Sequence, residues 1–284
     1  MTAAEFCIVV PVHKPDLSTD DIISLNACYN KLKDYKCFLV YPDGMDISKY
    51  LAIHQGLIPK PVKPVWLSSI KHYNQMKLDL KFYELFNEFK YMLTYELDAY
   101  IFGSDLVIEE FTKYDFIGAP YFEGYLDALP EAPFITGENS GFSIRNIQSC
   151  IHVLQSMSKY FYNWLAYKYI FSKSKILRAI VNRLTLRKYD AIIYGRFSFY
   201  FKDEYVHEDM IWSRVIPEFF PDFKIAATET AIKFSFEVNP DKLYKLNNNQ
   251  LPLGCHAWPK FKYFWKDHIP GLSEESLFNY SNTK

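Results

Sequence analysis

The run Tyr91 to Phe102, YMLTYELDAYIF, sets two carboxylates, Glu96 and Asp98, inside an otherwise apolar, strand-like segment. A strand of Tyr, Met, Leu, Ile and Phe gains by burying both faces, as the centre of a parallel sheet does. Charges in such a run are costly unless they stand at its end and bind something. Side chains at i and i+2 share a face of a strand, so Glu96 and Asp98 can converge on one cation. Two solvated acids at an exposed strand end are the competing explanation, and the run by itself does not separate the two.

The segments before it supply a sheet. Phe6–Val12 reads as a buried strand, and Asp20–Leu32 carries helical spacing at Ile22, Ile23, Leu25, Cys28 and Leu32. Cys37–Tyr41 is a second strand closed by the turn signal Pro42-Asp43-Gly44. Pro59–Pro64, with three prolines, predicts an extended loop, and Ser69–Phe89 a long helix leading into the acid-bearing strand. This β-α-β-α-β order predicts an α/β fold with a mostly parallel central sheet flanked by helices. Ligands on such sheets bind beyond the carboxyl ends of the strands, where Pro11 and His13, Pro42 and Asp43, and Glu96 and Asp98 fall. Further along, Tyr114–Tyr121 reads as a short strand and Phe142–Arg145 as another, with residues 147–171 helical.

Composition narrows the function classes. The chain has 284 residues and a net charge of −1, so no global field points to nucleic acid. Length suits one large α/β domain or two intimately joined halves, with ample material for a buried core. Five scattered cysteines without a CxxC pair argue against a disulfide framework and for a reducing cytosol. The N-terminal FCIVVPV lacks a basic flank and reads as a strand rather than a signal peptide. No stretch approaches the roughly 20 apolar residues that span a bilayer. Lys159 to Lys188 differs from its surroundings, with eight Lys or Arg, no Asp or Glu, and interleaved aromatics. Such a basic helical insertion can lie on anionic lipid, or pack its apolar side on the sheet.

Three more segments carry chemistry. In Thr136–Arg145, TGENSGFSIR, two glycines frame polar residues before a strand and permit close backbone approach to a ligand. His207-Glu208-Asp209 precedes a helical pattern at Ile211, Trp212, Val215, Ile216 and Phe219. Those acids are either caps favoured by the helix dipole or a general base facing a pocket. Near the C-terminus, His256 stands in the loop LGCHAWP. An imidazole joining two carboxylates makes a set that suits Mn²⁺.

Taken together, VVPV (Val9–Val12), YELDAYIF, YDFIGAPY, SGFSIRN, HEDMIWS and LPLGCHAW resemble nucleotide-sugar glycosyltransferases of the GT-A fold. The likeness is nearest to a group of bacterial and fungal transferases with x-x-Asp, YDYIGAPW-like and GGFSLR-like motifs, and it spans roughly residues 5–265. It implies a GT-A-like (Rossmann-like) fold in which Asp98 and His256 hold Mn²⁺ or Mg²⁺ and Glu96 contacts the donor. It also implies Asp209 as catalytic base with Glu208 as its substitute. Val10, Pro11 and Val12 are then expected around the nucleotide base, Asn74 and Lys77 as further donor contacts, and Gly141 facing donor sugar and acceptor. The expected partners are a nucleotide-sugar donor, UDP-linked by default, and a glycan or lipid-linked acceptor. A cytoplasmic site on the inner face of a membrane, in polysaccharide biosynthesis, goes with them. A nucleotidylyltransferase fits less well, because VVPVHKPDLS has no glycine-rich phosphate loop. A nucleotide-sugar hydrolase, or a glycan- or membrane-binding protein without catalysis, are the other readings.

Overall fold

A computed structural model describes residues 5–103, 108–156 and 207–272. The centre is a six-stranded sheet in the order β3-β2-β1-β4-β9-β6. Its strands are β1 (Phe6–Pro11), β2 (Lys36–Pro42), β3 (Ile58–Val62), β4 (Tyr91–Tyr95), β6 (Phe116–Ile117) and β9 (Phe142–Asn146). β3, β2, β1 and β4 run parallel, and β9 pairs antiparallel with both β4 and β6. The α/β class with a mostly parallel sheet flanked by helices is therefore what the chain adopts.

Alternation explains why both faces are buried. Along β1, Phe6, Ile8 and Val10 enter one core while Cys7 and Val9 enter the other. The first core is closed by α1 (Thr19–Lys31) through Leu25, Ala27 and Cys28, with Tyr50 of α2 (Ser48–Ile53). α1 starts on a capping box, in which Ser18 and Asp21 satisfy each other's backbone N–H. The second core is closed by Met76 of α3 (Ile70–Met76), by Phe82 and Tyr83 of α4 (Leu80–Glu84), and by Ile211, Trp212 and Ile216. Those last residues belong to a helix built from Glu208–Met210, a π-helical turn Ile211–Val215 and Ile216–Phe219.

Two small sheets complete the frame. β5 (Tyr100–Ile101), β10 (Ser235–Phe236) and β11 (Gly254–Cys255) form one, in the order β10-β11-β5. β7 (Pro120–Phe122) and β8 (Phe134–Glu138) form the other. The sheet β10-β11-β5 draws the C-terminal part of the chain onto the segment that follows β4.

Several boundaries differ from the sequence reading. The expected loop Pro59–Pro64 contains β3, an edge strand parallel to β2, where a proline costs no ladder bond that the sheet needs. The expected helix Ser69–Phe89 is two short helices, because the Asp79 side chain accepts the Lys81 N–H and restarts the helix. The expected strand Tyr114–Tyr121 is split into β6 and β7. A Cβ at Gly118, between them, would lie 1.8 Å from the Asn139 carbonyl oxygen, so the chain passes there only as glycine. The turn placed at 136–141 begins later, since β8 runs to Glu138. Helix 147–156 lies where a helix was expected, but its extension to 171 and the basic segment 159–188 fall outside the described residues.

Candidate functional site

Glu96 and Asp98 do not share a strand face. β4 ends at Tyr95, and the acids stand in the turn that leads to β5. That turn is pinned from all sides. The Glu96 N–H donates to the Gly141 carbonyl (2.9 Å), the Ala99 N–H to the Glu96 carbonyl (2.8 Å) and the Trp258 N–H to the Asp98 carbonyl (3.1 Å). The Ala99 carbonyl accepts from the Ser24 hydroxyl of α1 (2.5 Å). A pinned turn brings two carboxylates together as effectively as a strand face, but the i, i+2 argument is not the reason.

His256 arrives from the other end of the chain. It follows β11, which pairs antiparallel with β5 so that Cys255 faces Tyr100, and its N–H donates to the Phe236 carbonyl (2.8 Å). Its Nε2 lies 3.1 Å from Asp98 Oδ1 and 3.6 Å from Glu96 Oε2. One ligand atom from each of Glu96, Asp98 and His256 lies within 4.8 Å of the others. Among the described residues, the buried Nε2 has no neighbour in hydrogen-bond range other than these carboxylates, and neither is well aligned with it. On the far side of the ring, Nδ1 lies 3.0 Å from Glu237 Oε1. A ring nitrogen facing two carboxylates, with the opposite nitrogen held, is a donor set that fits a divalent cation. Burial lowers the imidazole pKa, but Asp98, Glu237 and Glu96 outweigh it and push His256 well above its ordinary value. A cation of higher charge at the same place answers the same field.

Gly141 stands against that ring. A Cβ there would lie 2.0 Å from His256 Nε2, so only a bare backbone leaves room for the imidazole.

Behind the cluster runs a chain of buried charges. Glu96 Oε1 accepts from the Tyr73 hydroxyl (2.8 Å) and from Lys77 Nζ (2.9 Å), which leaves Oε2 toward His256. Lys77, 2% exposed, also reaches Ser140 Oγ (2.9 Å) and Glu208 Oε1 (3.0 Å). Glu208 in turn takes the Arg145 guanidinium on both oxygens, at 3.0 and 3.1 Å. Burial alone would raise Glu96 and Glu208. Lys77 on the first and Arg145 with Lys77 on the second hold both below the usual carboxylate range.

Asp209, next to Glu208, differs from it. Burial and the Glu208 charge push its carboxyl up to about 7. Its Oδ2 accepts the Tyr121 hydroxyl (2.5 Å) and its Oδ1 the Met210 N–H (2.7 Å). A carboxyl raised to about 7 can gain or lose a proton near neutral pH.

A cavity of about 490 Å³ opens beside the turn, lined by Pro11, Val12, His13, Lys14, Tyr50, Tyr73, Glu96 and Asp98 among others. It lies at the carboxyl ends of β1 and β4. Because β2 and β3 extend the sheet to one side of β1 and β4 lies on the other, this is the topological switch point of the sheet. Open α/β sheets bind their ligands there.

Four residues expected around a donor, Val10, Asn74, Lys77 and Gly141, do not line this cavity, and neither do Glu208, Asp209 and His256. Val10 is fully buried in the core under α1. Asn74 accepts the Glu208 N–H (2.7 Å) and donates to the Ile70 carbonyl (2.8 Å), and Lys77 is held by its two carboxylates. Glu237 and Tyr121 were missed, and each of them touches a residue that was named.

The family described as "Protein of unknown function (DUF5672)" matches residues 59–256. The chain belongs to that family. No curated protein matches it in sequence. Among solved structures it is similar to mouse xyloside xylosyltransferase 1, at 11% identity and a TM-score of 0.48, over 88% of this chain and 97% of that one. It is also similar to the galactosyltransferase LgtC solved with donor and acceptor sugar analogues, at 13% identity and TM-score 0.47, over 94% and 98%. A third likeness is to the glycosyltransferase GlyE of Streptococcus pneumoniae TIGR4, at 12% identity and TM-score 0.46, over 98% and 63%. Among the described residues of this chain, no helix is long and apolar enough to cross a membrane.

Proposed function

We propose that the chain is a GT-A-like glycosyltransferase that moves a sugar from a nucleoside-diphosphate sugar, UDP-linked by default, to a hydroxyl of a glycan or lipid-linked acceptor. One observation carries this reading: the Glu96, Asp98 and His256 cluster borders a nucleotide-sized cavity at the switch point of the sheet. When bound there, Mn²⁺ or Mg²⁺ supplies positive charge for a leaving diphosphate.

The chain's own residues do the rest. Pro11 and Val12 wall the cavity where a base and ribose enter. Asp209 takes the proton of the acceptor hydroxyl as that oxygen bonds to the anomeric carbon. The sugar–phosphate bond breaks with its electron pair leaving on the diphosphate, and the anomeric centre inverts. Tyr121, donating to Oδ2, keeps the carboxylate aimed. Glu208, paired with both Arg145 and Lys77, serves as the fixed charge beside the base rather than as the base. In this reading residues 1–125 form the donor half and 126–270 the acceptor half, each contributing to the cation cluster.

A screen of nucleotide sugars with Mn²⁺, read by thermal stabilisation and by release of nucleoside diphosphate, tests the proposal. One donor is expected to stabilise the chain only with the cation, and to be consumed faster when an acceptor is present. If no nucleoside diphosphate binds by calorimetry in the presence of Mn²⁺, the reading is wrong. Free sugar as sole product, whatever acceptor is offered, would instead make the chain a hydrolase.

A further inference from the structure

Glu237 belongs to none of the motifs from which the site was read. It follows β10 as His256 follows β11, and the parallel register that pairs Phe236 with Cys255 sets the two side chains next to each other as the strands end. Glu237 is 3% exposed and its Oε1 lies 3.0 Å from His256 Nδ1. Among the described residues this is the ion pair that Glu237 makes. Removing a carboxylate from water without a partner is costly, so its burial needs a reason. The ring it touches presents its other nitrogen to Asp98 and Glu96.

We propose that Glu237 is a positioning residue of the cation centre: it accepts the Nδ1 proton of His256 and thereby directs the Nε2 lone pair at the ion held with Glu96 and Asp98. The inference rests on the reading of that cluster as a cation site. An imidazole can carry its single proton on either nitrogen, and only the Nδ1–H form leaves Nε2 able to ligate. A carboxylate behind the ring selects that form, fixes the ring plane and raises the basicity of the ligating nitrogen. Nothing in the local sequence around Glu237 announces this, because its partner lies on a different strand.

Two measurements on the full chain test it. Calorimetric titration with Mn²⁺ alone compares wild type with Glu237→Gln, which keeps size and removes the charge. The variant is expected to bind Mn²⁺ about 10- to 100-fold more weakly, with a lowered Tm in the absence of metal but a fully folded chain at the temperature of the titration. Nitrogen-15 spectra of His256 in Mg²⁺-saturated wild type are expected to show a proton on Nδ1 and none on Nε2. Wild-type Mn²⁺ affinity in Glu237→Gln, or a proton on Nε2 in the Mg²⁺-bound chain, would overturn the proposal. A loss of affinity that merely follows a loss of folding in the metal-free variant would overturn it too. Failure of the wild type itself to bind Mn²⁺ is a separate result, and it removes the cation reading on which the proposal stands.

Discussion

Gly141 shows how narrowly single residues are constrained around the imidazole. Any side chain there meets His256 Nε2, so Gly141→Ala must push the ring away from Asp98 and Glu96 or shift the backbone. We expect the variant to fold and to lose Mn²⁺ affinity by at least about tenfold, as loss of a ligand's support does; calorimetry decides it. Asp209 offers a sharper test. Asp209→Asn is expected to lower turnover by about 10²- to 10⁴-fold while nucleoside diphosphate binding stays intact. In wild type, kcat/KM should fall as pH drops through about 7, because the carboxyl must be ionised to accept a proton. The stability linkage has the opposite sense. A carboxyl raised from 3.8 to about 7 keeps a proton in the folded chain that the unfolded chain releases, so stability falls as pH rises across that window. Melting curves should therefore favour Asp209→Asn over wild type more at pH 8 than at pH 5. An equal difference at both pH values would show that Asp209 is not the raised group.

Among elements, the short helix α3 matters most, because its C-cap residue Lys77 ties Glu96 at the end of β4 to Glu208 at the start of a helix remote in sequence. Lys77→Met leaves two buried carboxylates with one fewer cation between them. It should cost about 3–5 kcal/mol in urea unfolding, the range for breaking one partner out of a buried ion pair. A loss below about 1 kcal/mol would mean that water already reaches the network. The sequence made the elements legible where period and composition agreed, as in β1, α1, β2 and β4. It failed where a single side chain or a neighbour's backbone decided the outcome. Asp79 broke one helix into two, and a change of partner, from β9 for β6 to β8 for β7, made two strands of one run. α2 (Ser48–Ile53) was not read at all, since six residues hold too little period to register. The basic stretch 159–188 remains a sequence argument: if it contacts lipid, the chain should sediment with vesicles containing phosphatidylserine and not with neutral phosphatidylcholine vesicles.

Across the whole molecule, the candidate site was legible as a set of residue types and not as a geometry. Glu96, Asp98 and His256 could be singled out because carboxylates and an imidazole stood in apolar or glycine-punctuated company, whereas Asp209 was picked from its neighbours by the family resemblance. Their spacing in the chain held no distance information, and the supporting residues Glu237 and Tyr121 looked like any other strand residue. The Glu96, Asp98 and His256 cluster draws on the first and last described segments of the chain, joined by the pairing of β5 with β11. Saturation at about 100 times the Kd should thus add about 2.7 kcal/mol to the stability of the whole chain, seen as a higher Tm that reverses on chelation. The same long-range pairing gives the site a place in time. A chain made from its N-terminus completes β1 through β4 well before β11 exists. Until residue 256 is made, Glu96 and Asp98 cannot meet the His256 imidazole. A nascent chain can therefore pair β1, β2, β3 and β4 before its Glu96, Asp98 and His256 can meet, so a cation taken up there would report that β11 has paired with β5.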